Sequence, residues 1–167
     1  MRDKIKWFIL SGIIIILDQL TKYLIRMKFD LHGSIPIIGN LVKFTYVQNT
    51  GAAWSMSFGN VVLNRVIFIT ITVVAIVVII FYFKKTKGIL QNLIATLVLA
   101  GAVGNLIDRI FKGYVTDFVD CDFPDFIMRR FPVFNVADSA ITVAITLLII
   151  YILFFDKNEK KIDEEIQ

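Results

Sequence analysis

Four apolar runs, roughly Trp7–Arg26, Val61–Phe83, Ile89–Ile110 and Val136–Phe155, organise this chain of 167 residues. Crossing a hydrocarbon core takes about 20 residues of helix, and each run approaches or exceeds that length. Inside a bilayer every backbone N–H and C=O must be satisfied within the span, so each run is expected to be a helix. The chain is therefore expected to be one membrane-embedded domain over 1–167, with no room for a separate soluble one. A hydrophobic content of 57% is far too high for a soluble domain of this length.

The formal charge of +4 does not point to nucleic acid, because the basic residues neither form a patch nor interleave with exposed aromatics. They punctuate the apolar runs instead. Arg2, Lys4 and Lys6 precede the first, Lys84, Lys85 and Lys87 separate the second and third, and Lys157, Lys160 and Lys161 follow the fourth. Equal numbers of basic residues fall on the two sides, but this set is packed into three short segments. The positive-inside rule then expects both termini to be cytoplasmic, with the loops Met27–Asn60 and Phe111–Asn135 facing outward. The basic-then-apolar N-terminus is longer than a signal-peptide core and lacks a small-x-small cleavage site, so it is expected to stay as the first span. The lone Cys121 has no disulfide partner, His32 is expected to be a loop residue, and no Cys/His spacing suggests a metal.

The second run is apolar on every face, as suits a helix exposed to lipid. The other three carry polar residues near their outward ends. Asp18 and Lys22 are four apart and can pair on one helical face, either as a structural ion pair or in support of a neighbouring site. Ala100 and Gly104 form a small-xxx-small surface for close packing, and Asn105, Asp108 and Arg109 follow as a polar stripe. Adjacent residues point about 100° apart on a helix, so Asp108 is expected to hold a partner other than Arg109. The first outward loop contains an alternating segment, Leu41–Gln48, expected to be a strand, and Trp54 and Phe58 then lie at the membrane surface.

Four acids, Asp117, Asp120, Asp122 and Asp125, crowd the second outward loop. Asp122 and Asp125 fit an ordinary solvated face. Asp117 differs, because Val115 and Phe118 would tether it at the apolar boundary. Asp138 falls in the first turn of the fourth helix, after the N-cap candidate Asn135, where a carboxylate complements the helix dipole. If Asp117 and Asp138 face each other, they cannot both ionise readily, and one proton is shared. Such a pair can activate a water and polarise a scissile carbonyl. The chain has no HExxH, no GxSxG elbow and no plausible Cys–His pair. A small transporter built on Asp18/Lys22 and Asp108/Arg109 is the competing class, but its charges would cluster at one membrane face.

These residues closely resemble the lipoprotein signal peptidases (signal peptidase II). The motifs, in the family's order, are Asp18-Gln19-x-x-Lys22, Asn49-x-Gly51-Ala52-Ala53, Gly104-Asn105-x-x-Asp108-Arg109, Val115-x-Asp117-Phe118 and Phe134-Asn135-x-Ala137-Asp138. The resemblance implies an all-α polytopic membrane protein of four transmembrane helices, with a small β platform in the first outward loop and a short surface helix in the second. It implies Asp117 and Asp138 as the catalytic dyad of a bacterial inner-membrane aspartyl protease, working near the outer face. Asn49, Gly51, Asn105, Arg109 and Asn135 would shape the substrate site, with Asp18, Lys22 and Asp108 in support. The implied substrate is a prolipoprotein carrying diacylglyceryl on its lipobox cysteine, cleaved just before that cysteine. The enzyme would work as a monomer among membrane lipids, without metal or other cofactor and without nucleic acid.

Overall fold

The computed structural model describes residues 2–39, 41–51, 60–122 and 131–155. Four long helices carry the apolar runs: α1 (Arg2–Lys28), α2 (Val61–Lys85), α3 (Ile89–Phe111) and α4 (Val136–Phe154). All four are long and apolar enough to cross a membrane. The chain turns back after each, so the start of α1, the α2–α3 turn and the end of α4 share one end of the bundle. Side chains mark that end: the Lys4 ammonium donates to Thr86, and Gln91 donates to the Tyr151 hydroxyl.

Helix α3 is the hub and packs against the other three. Lipid tails are as apolar as leucine, so helices in a bilayer associate through close packing and interhelical polar contacts. Helix α3 supplies both. Ala95, Ala100, Ala102, Gly101 and Gly104 are buried along it and let neighbouring backbones approach. A Cβ on Gly101 would sit 2.5 Å from the Ala137 carbonyl oxygen and 2.5 Å from Ile141 Cγ1, and one on Gly104 would sit 2.7 Å from Asp18 Oδ2. Gly101→Val is therefore expected to push α4 off α3, costing about 1–3 kcal/mol or more as overpacking. A lowered thermal midpoint in detergent, with Gly12→Val as the unaffected control, checks this; Gly12 has no neighbour within 4 Å. Helix α2 is the opposite case, with only Asn64 and Phe83 buried, in keeping with its featureless sequence.

At the other end of the bundle lies an antiparallel sheet of order β1–β2–β3: β1 (Ser34–Ile38), β2 (Val42–Asn49) and β3 (Val115–Cys121). Strand β2 matches the alternating segment of the first outward loop. Strand β3 comes from the second loop, so the platform draws on both loops. The acid-rich sequence of β3 resembles a solvated face, yet Val115, Thr116, Asp117 and Phe118 are all buried. Its pairing with β2 and the packing of Phe118 against Ile25 and Tyr46 outweigh weak local strand propensity. The surface helix implied for the second loop falls on 123–130, and Trp54 and Phe58 fall on 52–59; these lie outside the described residues, as does Asp125.

Candidate active site

Asp138 is placed by its helix. At the start of α4 the Asn135 side chain accepts from the Asp138 backbone N–H at 2.9 Å, while Asp138 Oδ2 accepts from the Asn135 N–H at 3.2 Å. This reciprocal capping box satisfies two donors that a helix start otherwise leaves unpaired. Asp18 reaches across from α1 and takes a third, accepting from Ala137 N at 2.9 Å. The cap also orients Asn135: with its oxygen committed to the helix, its amide nitrogen donates to Asp117 Oδ1 at 2.7 Å. One asparagine thus touches both aspartates.

Asp117 is placed by β3, whose register against β2 sets Asp117 opposite Val47. Its second oxygen accepts from Asn49 Nδ2 at 3.0 Å. Asn49 is held in that sense because its own oxygen accepts from Gly51 N at 3.0 Å. The Gly51 carbonyl in turn accepts from Arg109 Nη2 at 3.3 Å, which ties the first loop to α3. Arg109 also lies over the Phe68 ring at 5.3 Å.

Asn105 completes the ring. Its oxygen accepts from Lys22 Nζ at 2.9 Å and from Asn135 Nδ2 at 3.1 Å, so its amide nitrogen faces Asp138 Oδ1, to which it donates at 2.8 Å. An ammonium can only donate, so Lys22 fixes which way the Asn105 amide points.

Behind this layer lies a buried charge cluster. Lys22 pairs with Asp18 at 2.8 Å and with Asp108 at 3.5 Å, and all three are fully buried. Asp108 further meets Lys112 and Arg26 and accepts from the Thr116 backbone N–H at 3.0 Å. The partner expected for Asp108 is therefore a set of cations and one strand amide. That amide belongs to the residue before Asp117, so Asp108 anchors β3 to the helices. Sequence reading passed over Arg26, Thr116, Lys112 and Arg65. The signals were spacing for two of them: Arg26 is one turn beyond Lys22 and Lys112 one turn beyond Asp108. Arg65 donates to the Arg109 and Ile110 carbonyls at the end of α3, a long-range contact with no local signature.

The two aspartates open onto one cleft of ≈ 1020 Å³, lined by Asp117, Asp138, Asn49, Asn105 and Arg109 and by apolar residues including Val47, Phe134 and Ile141. Burial first, and the neighbouring Asp138 charge second, push the Asp117 carboxyl up to about 7, against hydrogen bonds from Asn49 and Asn135 that favour its carboxylate form. No group of three or more metal-binding side chains occurs among the described residues. Asp122 pairs with Lys43 at 3.4 Å on the surface, and Asp120 accepts from Thr45 at 2.8 Å, so neither joins the cleft. His32 takes a positive φ of 67° in a turn and lines the cleft.

Four apolar helices with an acidic polar cleft at one end define a multi-pass membrane protein. The family model for Signal peptidase (SPase) II matches residues 10–154. The chain belongs to that family and is a peptidase of the lipoprotein-processing type. It is 44% identical over 146 residues to a lipoprotein signal peptidase of Halothermothrix orenii, covering 87% of this chain and 93% of the relative. A lipoprotein signal peptidase of Enterococcus faecalis is 37% identical over 155 residues, covering 93% and 92%. Among solved structures, a bacterial membrane enzyme determined by the in meso method at 2.3 Å resolution superposes with a TM-score of 0.80 at 31% identity, covering 89% of this chain and 87% of that one.

Proposed function

We propose that the chain removes signal peptides from diacylglyceryl-modified prolipoproteins by two-carboxylate hydrolysis, cleaving on the N-terminal side of the lipidated cysteine. The observation that carries the reading is the bridging of Asp117 and Asp138 by a single asparagine over the cleft. In this reading the Asp138 carboxylate takes a proton from water as the oxygen attacks the scissile carbonyl carbon. Asp117, protonated, donates to the carbonyl oxygen. Asp138 then passes its proton to the departing amine nitrogen as the C–N bond breaks, and the former carbonyl oxygen returns its proton to Asp117, leaving a free acid, a free amine and the starting pair. Asn49, Asn105 and Asn135 hold the carboxylates, and Asn49, Asn105 and Arg109 line the cleft and supply polar contacts to the peptide.

The substrate class follows from position. The cleft is bounded by Ile141, Thr142 and Val143 of α4, and Val143 is half exposed on the helix surface that meets lipid. A diacylglyceryl-anchored peptide arrives there with its acyl chains already in the bilayer, so lipid burial adds little net affinity and serves to localise the substrate. The dense lysine set at the end opposite the dyad supports a cytoplasmic location for both termini and an outward-facing site in the bacterial inner membrane. The transport reading finds no matching observation. Between the Lys4–Asn92 contacts and Asp18, the buried polar side chains among the described residues are Ser11 and Thr96, both uncharged.

A reconstituted assay with a diacylglyceryl-prolipoprotein tests the proposal through the product mass and the pH profile. The new N-terminus is expected at the lipidated cysteine. Asp117 holds its proton below about 7 and loses it above. The required singly protonated pair is therefore depleted as pH rises, and the rate is expected to fall about tenfold per pH unit on the alkaline side. A rate still climbing several units above that point would sink the assignment of Asp117 as the acid.

A further inference from the structure

At the end of the bundle opposite the dyad is a second cavity of ≈ 290 Å³, lined by Lys4, Lys6, Trp7, Thr86, Lys87, Ile89 and Asn92. Among the described side chains, the part-buried Lys4 ammonium is held there by neutral groups. It donates to the Thr86 carbonyl, to Thr86 Oγ1 at 3.0 Å and to Asn92 Oδ1, and it lies 4.8 Å over the Phe83 ring. Thr86, Asn92 and Phe83 are themselves buried, and Thr86 Oγ1 donates to Asn92 Oδ1 at 2.7 Å, so the ammonium is fixed rather than free to extend into water. Among the side chains described, which do not include those of residues 1–3 and 156–167, none of Lys4, Lys6 and Lys87 has a carboxylate partner.

A partly desolvated cation without a counter-charge is costly, and an anion entering the cavity would relieve that cost. Lys6 and Lys87 add two further donors at the mouth, and the positive end of the α3 dipole starts at Ile89 in the same wall. Geometry also selects the source of the anion. The cavity lies at the ends of helices long and apolar enough to cross a membrane, beside Phe8, which is half exposed, and Ile89, which is largely exposed. Trp7 has the amphipathic ring found at headgroup depth. We propose that this cavity binds the phosphate of an anionic phospholipid headgroup on the face opposite the dyad, with Lys4 as the seated cation and Lys6 and Lys87 as its clamps. The proposal does not depend on the peptidase mechanism.

The chain has two tryptophans, so in a Trp54→Phe background Trp7 alone reports on the cavity. The full-length protein is reconstituted in phosphatidylcholine vesicles containing a small fraction of brominated phosphatidylglycerol, and quenching of Trp7 is compared with brominated phosphatidylcholine at the same fraction. Selective binding is expected to enrich the anionic lipid at Trp7 by about fivefold or more, the scale of one lysine's attraction to anionic lipid. Lys6→Gln/Lys87→Gln is expected to abolish the enrichment, whereas Lys84→Gln/Lys85→Gln, which removes the same charge outside the cavity, is expected to keep it. Equal loss in both pairs would reduce the effect to diffuse surface attraction and overturn the proposal. So would displacement by inorganic phosphate at constant ionic strength, which would make the site one for free phosphate. Enrichment that appears only after residues 156–167 are deleted would assign the cavity to that segment, which carries five acids offset by three lysines, and would equally overturn it.

Discussion

Asp138→Asn and Asp117→Asn are each expected to lower processing of a lipid-modified prolipoprotein by roughly 10²–10⁴-fold, the span that general acid–base groups contribute. Asparagine is nearly isosteric with aspartate but can neither accept the water proton nor donate an acidic one. Because the two groups share one function, their losses are not expected to add, and the double variant should be no slower than the worse single one. The fold should survive. Asp117 is buried and Asp138 half-buried, so removing a charge at either relieves a desolvation cost, and Asn135 keeps its cap on α4 through the Asp138 backbone N–H. The measurement is the cleavage rate in a purified reconstituted system together with the thermal midpoint of each variant. Full processing by either single variant would remove that residue from the dyad. A fall in midpoint parallel to the loss of rate would instead make the effect structural.

The largest effect on stability is expected at Asp108, which does not line the cleft. Asp108→Ala deletes the acid shared by Lys22, Lys112 and Arg26 and leaves the buried Thr116 N–H without its acceptor. Removing one partner from a buried ion pair costs about 3–5 kcal/mol, because the remaining charge stays desolvated. Arg26 and Lys112 reach partly into solvent and can relax; Lys22 is fully buried and, among the described residues, keeps Asp18 and Asn105. The cost therefore falls on the α1–α3 contact and on the seating of β3. Domain stabilities are about 5–15 kcal/mol, so the variant should show a markedly lower midpoint and fail to accumulate. Asp108→Asn, which can still accept from Thr116 N–H, should lie between. An Asp108→Ala protein with an unchanged midpoint would mean that β3 is held by its pairing with β2 alone.

Much of the helical architecture was legible because the bilayer leaves a span few alternatives to a helix. The start of α4 was legible too, since Asn135 three residues before Asp138 is a local capping pattern whose geometry needs no distant partner. Two local cues also pointed correctly at burial: Val115 and Phe118 around Asp117, and the Asp18–Lys22 spacing. Strand β3 was not legible. Its acids at Asp117, Asp120 and Asp122 imitate a solvated loop, and only its ladder with β2, over sixty residues upstream, shows that one acid turns inward while Asp122 faces solvent. Arg26, Arg65 and Lys112 escaped notice for a related reason, since a basic residue at a span's end reads first as an interfacial anchor.

By itself the sequence determined the four spans, the first-turn position of Asp138 and the crowding of polar groups at one membrane face, because hydropathy, capping and helical spacing act over neighbouring residues. Tertiary structure alone decided that Asp117 and Asp138 come to one cleft and share Asn135. That arrangement needs the α4 cap to aim Asn135, the Lys22 ammonium to orient Asn105, and the Asp108–Thr116 bond to hold β3 against α3. Each is a directional contact between different structural elements, and hydrogen-bond directionality cannot be read before those elements are brought together.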